Sequence, residues 1–155
     1  MNEPRDVRWL STDEQKVWRA YLMASQLLAG RLEQQMQSDA SMPMAYYEIL
    51  VRLSESPDRS LRMSELSSAS FQSRSRLSHA VARLVEAGWV ERRACPTDRR
   101  GAFAVLTDEG FAALVAAAPG HVEQVRTDLF DQLTPEQIRQ LGEISEAIAG
   151  PITPP

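Results

Sequence analysis

The period at which apolar residues recur changes along this chain, and that change does most to limit its fold. Up to Gly88 they recur at three- and four-residue steps, which is the spacing of amphipathic helices. Over 89–93 and 102–106 the pattern is that of two short strands, joined by a loop with turn-forming residues. Helical spacing resumes after Thr107. The sequence therefore predicts a mainly α fold with a small β-hairpin.

Capping residues and breakers divide the helical parts of the chain. Ser11 and Glu14 have capping-box spacing, and Thr134 with Gln137 repeats it near the end. The first helix is long and has one wide apolar face, which favours packing against a partner chain, with packing on the chain's own core as the alternative. The predicted helices are one from Ser11 to Gln37, a second with Pro43 in its first turn, a short one over 64–70, one from Ser73 to Ala87, one from Thr107 with a break at Pro119–Gly120, and a last one ending at Gly150–Pro151.

A helix-turn-helix pattern lies directly before the hairpin. The short helix leads through a tight connection, Phe71–Gln72, into the helix that Ser73 caps. The residues of this second helix that we expect to point inward are Leu77, Ala80, Val81, Leu84 and Val85. A helix-turn-helix followed by a hairpin is a winged helix-turn-helix. The remaining helices lie before and after it, as helical arms of the predicted fold.

Charge is distributed unevenly, although the net charge of the 155 residues is only −4. Between Arg52 and Arg100 there are ten arginines and six acidic residues, whereas the flanking parts carry seven basic and fifteen acidic residues. A basic middle part between acidic ends is typical of a nucleic-acid-binding face on an otherwise acidic protein. The sequence therefore predicts double-stranded DNA as a partner.

The start of the Ser73-capped helix and the hairpin carry the residues that we expect to contact DNA. Arginine binds guanine with two hydrogen bonds, and Ser and His contact bases or phosphates. Arginines on a hairpin tip enter the adjacent minor groove, where Asp98 is placed to orient Arg100. The alternative interpretation is a solvated polar face with a surface ion pair. The predicted DNA-binding residues are Ser73, Arg74, Ser75, Arg76, Ser78, His79, Arg83, Arg92, Arg93, Asp98, Arg99 and Arg100.

Four segments resemble the MarR family of bacterial transcription regulators. They are Met63–Leu66, Ser73–Ser75, Arg83–Arg92 and the stretch from Asp98 to Gly110. The resemblance implies an obligate homodimer that grips a pseudo-palindromic operator, with, in many members, a small-molecule pocket between the dimer helices and each DNA-binding lobe. The chain then divides into a dimerisation region, 1–40 and 108–150, a winged helix-turn-helix region, 41–107, and a tail, 151–155.

The predicted regulatory signal is a small aromatic or phenolic molecule. Aromatic side chains with polar tips suit such ligands. The candidate pocket residues are Trp18, Tyr21, Met44, Tyr46 and Tyr47, and ordinary core positions are the alternative for each. A thiol-redox response through Cys95 is a second alternative, because four arginines lie near it in sequence. The chain has no second cysteine to resolve an oxidised thiol, which favours an unreactive Cys95.

Enzyme and metal functions find little support in the sequence. Ser78, His79 and Asp98 are nominally a catalytic set, but adjacent helix residues point about 100° apart. Nucleophile elbows and phosphate loops are absent from the sequence. One cysteine and two distant histidines predict no metal site. We therefore expect neither an enzyme nor a bound cofactor.

The predicted protein is a cytoplasmic repressor. No apolar run reaches the length of a membrane span, and the first residues lack the pattern of a secretory signal. The rival class is a winged-helix protein-interaction module without DNA readout. Such a module would lose the basic residues of its helix start and wing tip, and this chain keeps both.

Overall fold

The computed structural model describes residues 6–69, 73–95 and 98–152, and the side chains of all of these except Ala69, Arg99, Arg100 and Ile152. Helices predominate, and a small sheet lies in the middle of the chain. The helices are α1 (Thr12–Ala40), α2 (Met44–Glu55), α3 (Met63–Ala69), α4 (Arg74–Glu86), α5 (Asp108–Asp128) and α6 (Pro135–Ile152). The strands are β1 (Ser60–Arg62), β2 (Val90–Cys95) and β3 (Asp98–Leu106). Short 3-10 turns cover Pro57–Arg59 and Phe130–Gln132.

The sheet is antiparallel, with the strand order β1-β3-β2. Ser60 pairs with Val105 and Val90 pairs with Leu106, so β3 is the central strand. The predicted hairpin is confirmed, but both of its strands reach farther toward the tip than predicted. β1 was not predicted, because its three residues follow a polar turn in which Asp58 adopts a left-handed conformation (φ 52°).

The core of the winged helix-turn-helix region lies between α2, α3, α4 and the sheet. Leu77, Ala80, Val81 and Leu84 point into it from α4, as predicted. Val85 is 39% exposed, so its predicted inward position is wrong. It lies at the margin of the buried stripe, where the sheet no longer covers α4. The other core side chains with no exposed surface include Ile49, Leu50, Leu53, Leu66 and Ala104.

Gly88 ends α4 in the way the sequence predicts. Its φ of +75° is left-handed, which glycine adopts without strain. The backbone amide of Trp89 then donates to the carbonyl of Leu84 at 2.9 Å, which closes the end of the helix. This turn directs the chain straight into β2.

Helix α5 does not break at Pro119–Gly120, so that prediction is wrong. Pro119 is exposed, and the loss of its amide removes one helical hydrogen bond. The helix is held there by α1, which packs along α5. A Cβ on Gly120 would lie 3.1 Å from Nε2 of Gln35, so glycine allows the close approach of α1. Packing between the two helices outweighs the local cost of the proline.

The ends of α1 and α6 agree with the capping signals. The Ser11 hydroxyl accepts from the amide of Glu14 at 3.2 Å, and the Glu14 carboxylate accepts from the amide of Ser11 at 2.7 Å. Thr134 and Gln137 form the same reciprocal pair before α6. Both helices run slightly beyond their predicted ends, and Pro43 caps α2 rather than lying in its first turn. None of the helices in the described residues combines the length and apolar character of a membrane span.

Candidate nucleic-acid interface

The start of α4 presents a polar, cationic surface on a firmly anchored helix. The Ser73 hydroxyl accepts from the amide of Arg76 at 3.3 Å, so Ser73 is the N-cap. Arg74, Ser75 and Arg76 in the first turn are exposed, as are Ser78 and His79 in the next. Because the buried stripe fixes the rotation of α4, these side chains face away from the core. The unpaired amides of this helix end also favour an anion.

Arginines around the start of α4 differ from most others in having no carboxylate partner. Within the described residues, Arg74, Arg76 and Arg92 form no ion pair. The arginines that do are held by nearby carboxylates, and they include Arg31, Arg59, Arg83, Arg93, Arg126 and Arg139. An unpaired guanidinium keeps its full positive potential and all of its donors for a ligand. Arg8, Arg19, Arg52 and Arg62 likewise form no ion pair in the described part of the chain, so it is the grouping of three unpaired arginines around the exposed start of α4 that offers a surface to an anionic partner.

A cleft on one side of α4 brings three of the predicted residues together. Arg74 and Ser78 on α4 line it with Arg92 on β2, and α3 contributes Ser64 and Ser67. Two guanidinium groups and several hydroxyls thus converge from three elements. The chemistry of this cleft suits a phosphate group.

A second cleft borders the other side of α4. Arg76, His79 and Arg83 line it with Ser75, and Tyr46 closes it from the start of α2. Arg83 is held at 2.7 Å by Glu86, and the hydrogen bond and charge of Glu86 raise the pKa of its guanidinium, with a smaller contribution from Tyr46. Arg83 belongs to the last turn of α4, so it lies away from the helix start.

The hairpin carries the remaining predicted DNA-binding residues. Arg93 is paired with Glu91 on its own strand at 2.8 Å, unlike its neighbour Arg92. A Cβ on Gly101 would lie 2.9 Å from Oδ2 of Asp98, so the Asp98 carboxylate rests over the glycine. Arg99 and Arg100 are on β3, and their side chains are outside the described residues. Cys95 is buried at the end of β2, as expected of an unreactive thiol.

An open cavity of about 560 Å³ lies between α2 and α5. It contains two of the five residues predicted for a ligand pocket, Met44 and Tyr47, and its size is in the range of small-molecule sites, ~300–1,000 Å³. Burial lowers the pKa of His121, which Glu48 partly offsets, and burial raises the pKa of Tyr47. The other lining residues are Val51, Arg52 and Glu55.

The other three predicted pocket residues lie elsewhere. Trp18 and Tyr21 stack on each other on α1, with 6.2 Å between ring centroids, and each is half exposed. Tyr46 points to the α4 side of α2. The other residues that line the cavity were not predicted from the sequence; they are Glu48, Val51, Arg52, Glu55 and His121. The sequence did contain a signal for the α2 residues, since those that line the cavity recur at three- and four-residue steps from Met44.

The described residues contain no group of three His, Cys, Asp or Glu side chains placed to hold a metal ion. His79 is on the outer face of α4, whereas His121 is packed against Tyr47. The two histidines therefore belong to different surfaces of the protein.

Fold and surface together define a winged helix-turn-helix protein with additional long helices. The sequence model of the MarR family matches residues 40–101, which include α2, α3, α4 and most of the sheet. No curated protein matches the chain.

Solved structures extend the similarity over nearly the whole chain. Sco3205 from Streptomyces coelicolor, a MarR family transcriptional regulator in complex with DNA, is 54% identical (TM-score 0.92), and the match covers 97% of this chain and 94% of that one. AbsC, a MarR family regulator from the same organism, is 44% identical (TM-score 0.87; 93% and 97% covered). A MarR mutant from E. coli complexed with operator DNA shares the fold at 22% identity (TM-score 0.76; 86% and 93% covered). The chain belongs to the MarR family of transcriptional regulators.

Proposed function

We propose that this protein is a sequence-specific DNA-binding repressor that acts as a homodimer on a pseudo-palindromic operator. The observation that carries the proposal is the set of unpaired arginines, Arg74, Arg76 and Arg92, around the exposed start of α4. A helix presented in this way enters the major groove, where its first residues approach base edges. The hairpin that follows would place Arg99 and Arg100 beside the adjacent minor groove.

Similarity to Sco3205 supports the same function. That protein is crystallised in complex with DNA, and more than half of its aligned residues are identical to this chain. The predicted protein-interaction module would have no need of three unpaired arginines grouped around the start of α4. DNA is the partner whose phosphates match them.

Homodimerisation is supported by apolar surface on the outer helices. α6 is exposed along almost its whole length, yet Ile138, Ile144 and Ile148 form a stripe along it. Most of the stability of a helix in a protein comes from packing of its apolar face, and the single chain leaves this face of α6 exposed. We assign dimerisation to 1–40 and 108–150 and DNA binding to 41–107, with 151–155 as a tail. A two-fold dimer would place its recognition helices about 34 Å apart, one turn of DNA.

A small aromatic or phenolic ligand is proposed to bind in the cavity between α2 and α5. Met44 and Tyr47 offer an apolar and an aromatic wall, and Arg52 offers a donor for a phenolate or carboxylate. The cavity lies where α2 of the DNA-binding region meets α5, which we assign to the dimerisation region. A ligand that fits one arrangement of the two lobes better would shift their spacing and weaken the match to both half-sites.

Repression requires no protein contacts other than those with the operator and between the two protomers. A dimer that occupies an operator within a promoter blocks polymerase by its presence, and it acts in the cytoplasm, where bacterial promoters are.

Fluorescence anisotropy tests the proposal. A labelled duplex from upstream of the gene and a scrambled duplex of the same composition are titrated at about physiological salt. A specific regulator should prefer the operator duplex by about a thousandfold or more. Equal, weak binding to both duplexes and to tiled neighbouring duplexes would contradict the proposal. Benzoate, with cyclohexanecarboxylate as the non-aromatic control, then probes the cavity on the same signal.

A further inference from the structure

Helix α4 is bordered on both sides by clefts that contain arginine and hydroxyl groups. Helix residues follow one another at about 100°, so Ser75 and His79 lie near the middle of the outer face. Arg74 and Ser78 are displaced toward α3 and β2, and Arg76 toward α2, in agreement with the clefts they line. Ser75 and His79 would therefore face bases, while the arginines lie toward the two edges of a groove.

Tyr46 is the one aromatic residue that lines the α2-side cleft. Its ring packs on the hydrophobic core from the first turns of α2, which fixes its direction. Its hydroxyl has no hydrogen-bond partner within the described residues. Arg76 and Arg83 line the same cleft as Tyr46. An aromatic ring held by the core thus brings an unused hydroxyl donor to a cleft that also contains the unpaired guanidinium of Arg76.

We propose that the cleft between α2 and α4 binds a phosphate of the DNA backbone, with the Tyr46 hydroxyl and the Arg76 guanidinium as its donors. This inference rests on the proposed function, and it gives Tyr46 a role outside the ligand pocket. The cleft formed by Arg74 and Arg92 would hold a phosphate of the opposite strand. Contacts at both edges of the major groove fix the depth and orientation of α4 without reading sequence.

Tyr46→Phe separates this role from a structural one, because it removes the hydroxyl and keeps the packed ring. We expect the variant to bind operator and scrambled duplexes about tenfold more weakly than the wild-type protein, since both protomers of the dimer lose a charge-assisted hydrogen bond. The slope of log affinity against log salt should stay unchanged, because no charge is lost. Arg76→Gln should lower that slope by about 2, one phosphate contact per protomer. Arg139→Gln, on α6, is the matched control and should leave it unchanged.

Duplexes with single neutral methylphosphonates identify the contact. At one position in each half-site, the substitution should weaken Tyr46→Phe by a smaller factor than the wild-type protein, because only the Arg76 contact remains to be lost in the variant. Unchanged affinity of Tyr46→Phe, or a loss confined to the operator duplex, would overturn the inference. If the wild-type protein binds both duplexes equally, the proposed function fails instead. The effect of Tyr46→Phe on the affinity for these two duplexes would still show whether Tyr46 contacts a phosphate.

Discussion

The ring of Tyr47 lies against the imidazole of His121, with 4.7 Å between the ring centroids and 52° between the planes. Tyr47 is on α2 and His121 is on α5, so the contact joins the winged helix-turn-helix region to the helix that leaves it. Nδ1 of His121 is buried and has no hydrogen-bond partner within the described residues. A charged imidazole at this position would lack both solvent and an acceptor at Nδ1.

The stability of the protein should therefore depend on the protonation of His121. Burial lowers its pKa in the folded chain below the ordinary value of 6.5, so the unfolded chain binds the proton more readily. The stabilisation is fully present above about pH 6.5 and is lost as the pH falls below it. In urea titrations, the free energy of unfolding of the wild-type protein minus that of His121→Phe should fall as the pH is lowered from about 7.5 to about 5.

His79→Gln, at the exposed histidine of α4, is the control for this measurement. The loss of stability at low pH that we attribute to His121 should persist in His79→Gln. An advantage of wild type over His121→Phe that stays constant with pH would contradict the prediction.

Gly110 should tolerate no side chain. A Cβ at this position would lie 2.1 Å from the carbonyl oxygen of Trp89 and 2.9 Å from Cδ1 of Leu106. The Trp89 carbonyl cannot move freely, because it accepts from the amide of Thr107 at 3.1 Å. Gly110→Ala should therefore destabilise the fold by about 3 kcal/mol or more, measured by urea unfolding.

Gly30→Ala is the matched control, since a Cβ there meets nothing within 4 Å on α1. It should stabilise the helix by up to about 1 kcal/mol. Equal stabilities of the two alanine variants would mean that α5 does not begin against the Trp89 backbone.

Local signals in the sequence predicted most of the elements, because caps and apolar periods act over a few residues. Ser73, Thr107 and Gly88 perform the capping and stop functions expected of them. Two features depend on distant contacts and were not predictable in this way. β1 exists because β3 offers an edge to Ser60–Arg62, and α5 continues through Pro119 because α1 packs beside it.

The candidate nucleic-acid interface was partly predictable, because the apolar spacing of α4 is also a local signal. Spacing on α4 predicts which residues face outward, but it does not tell which arginines already have partners. Arg93 and Arg92 are neighbours in sequence, yet Glu91 holds only the former. Likewise, Tyr46 and Tyr47 look equivalent in sequence, whereas the roughly 100° between adjacent helix residues sends them to different clefts.

Dimerisation should depend on the apolar stripe of α6. Ile144 is 56% exposed in the single chain, and a lysine there would place a charge in the interface. Ile144→Lys should raise the dimer dissociation constant at least about tenfold, which corresponds to about 1.4 kcal/mol. Sedimentation velocity over a range of protein concentrations measures this change.

Glu146→Lys is the control, because it lies about 200° around α6 from Ile144 and changes the charge by a larger amount. It should leave the dimer intact. If both variants dissociate alike, the effect comes from charge and not from the isoleucine stripe.

Arg92 should contribute affinity without sequence preference. It is unpaired on β2 and reaches the cleft beside Arg74, where a phosphate rather than a base edge would lie. Arg92→Gln should weaken binding to operator and scrambled duplexes by a similar factor, about fivefold for ~1 kcal/mol. The salt slope of the dimer should fall by about 2, one contact from each protomer. Arg93→Gln, whose guanidinium is already held by Glu91, should change both quantities less. Arg92 does not bind a phosphate if Arg93→Gln lowers the affinity and the salt slope more than Arg92→Gln does. The same conclusion follows if Arg92→Gln loses affinity for the operator duplex alone.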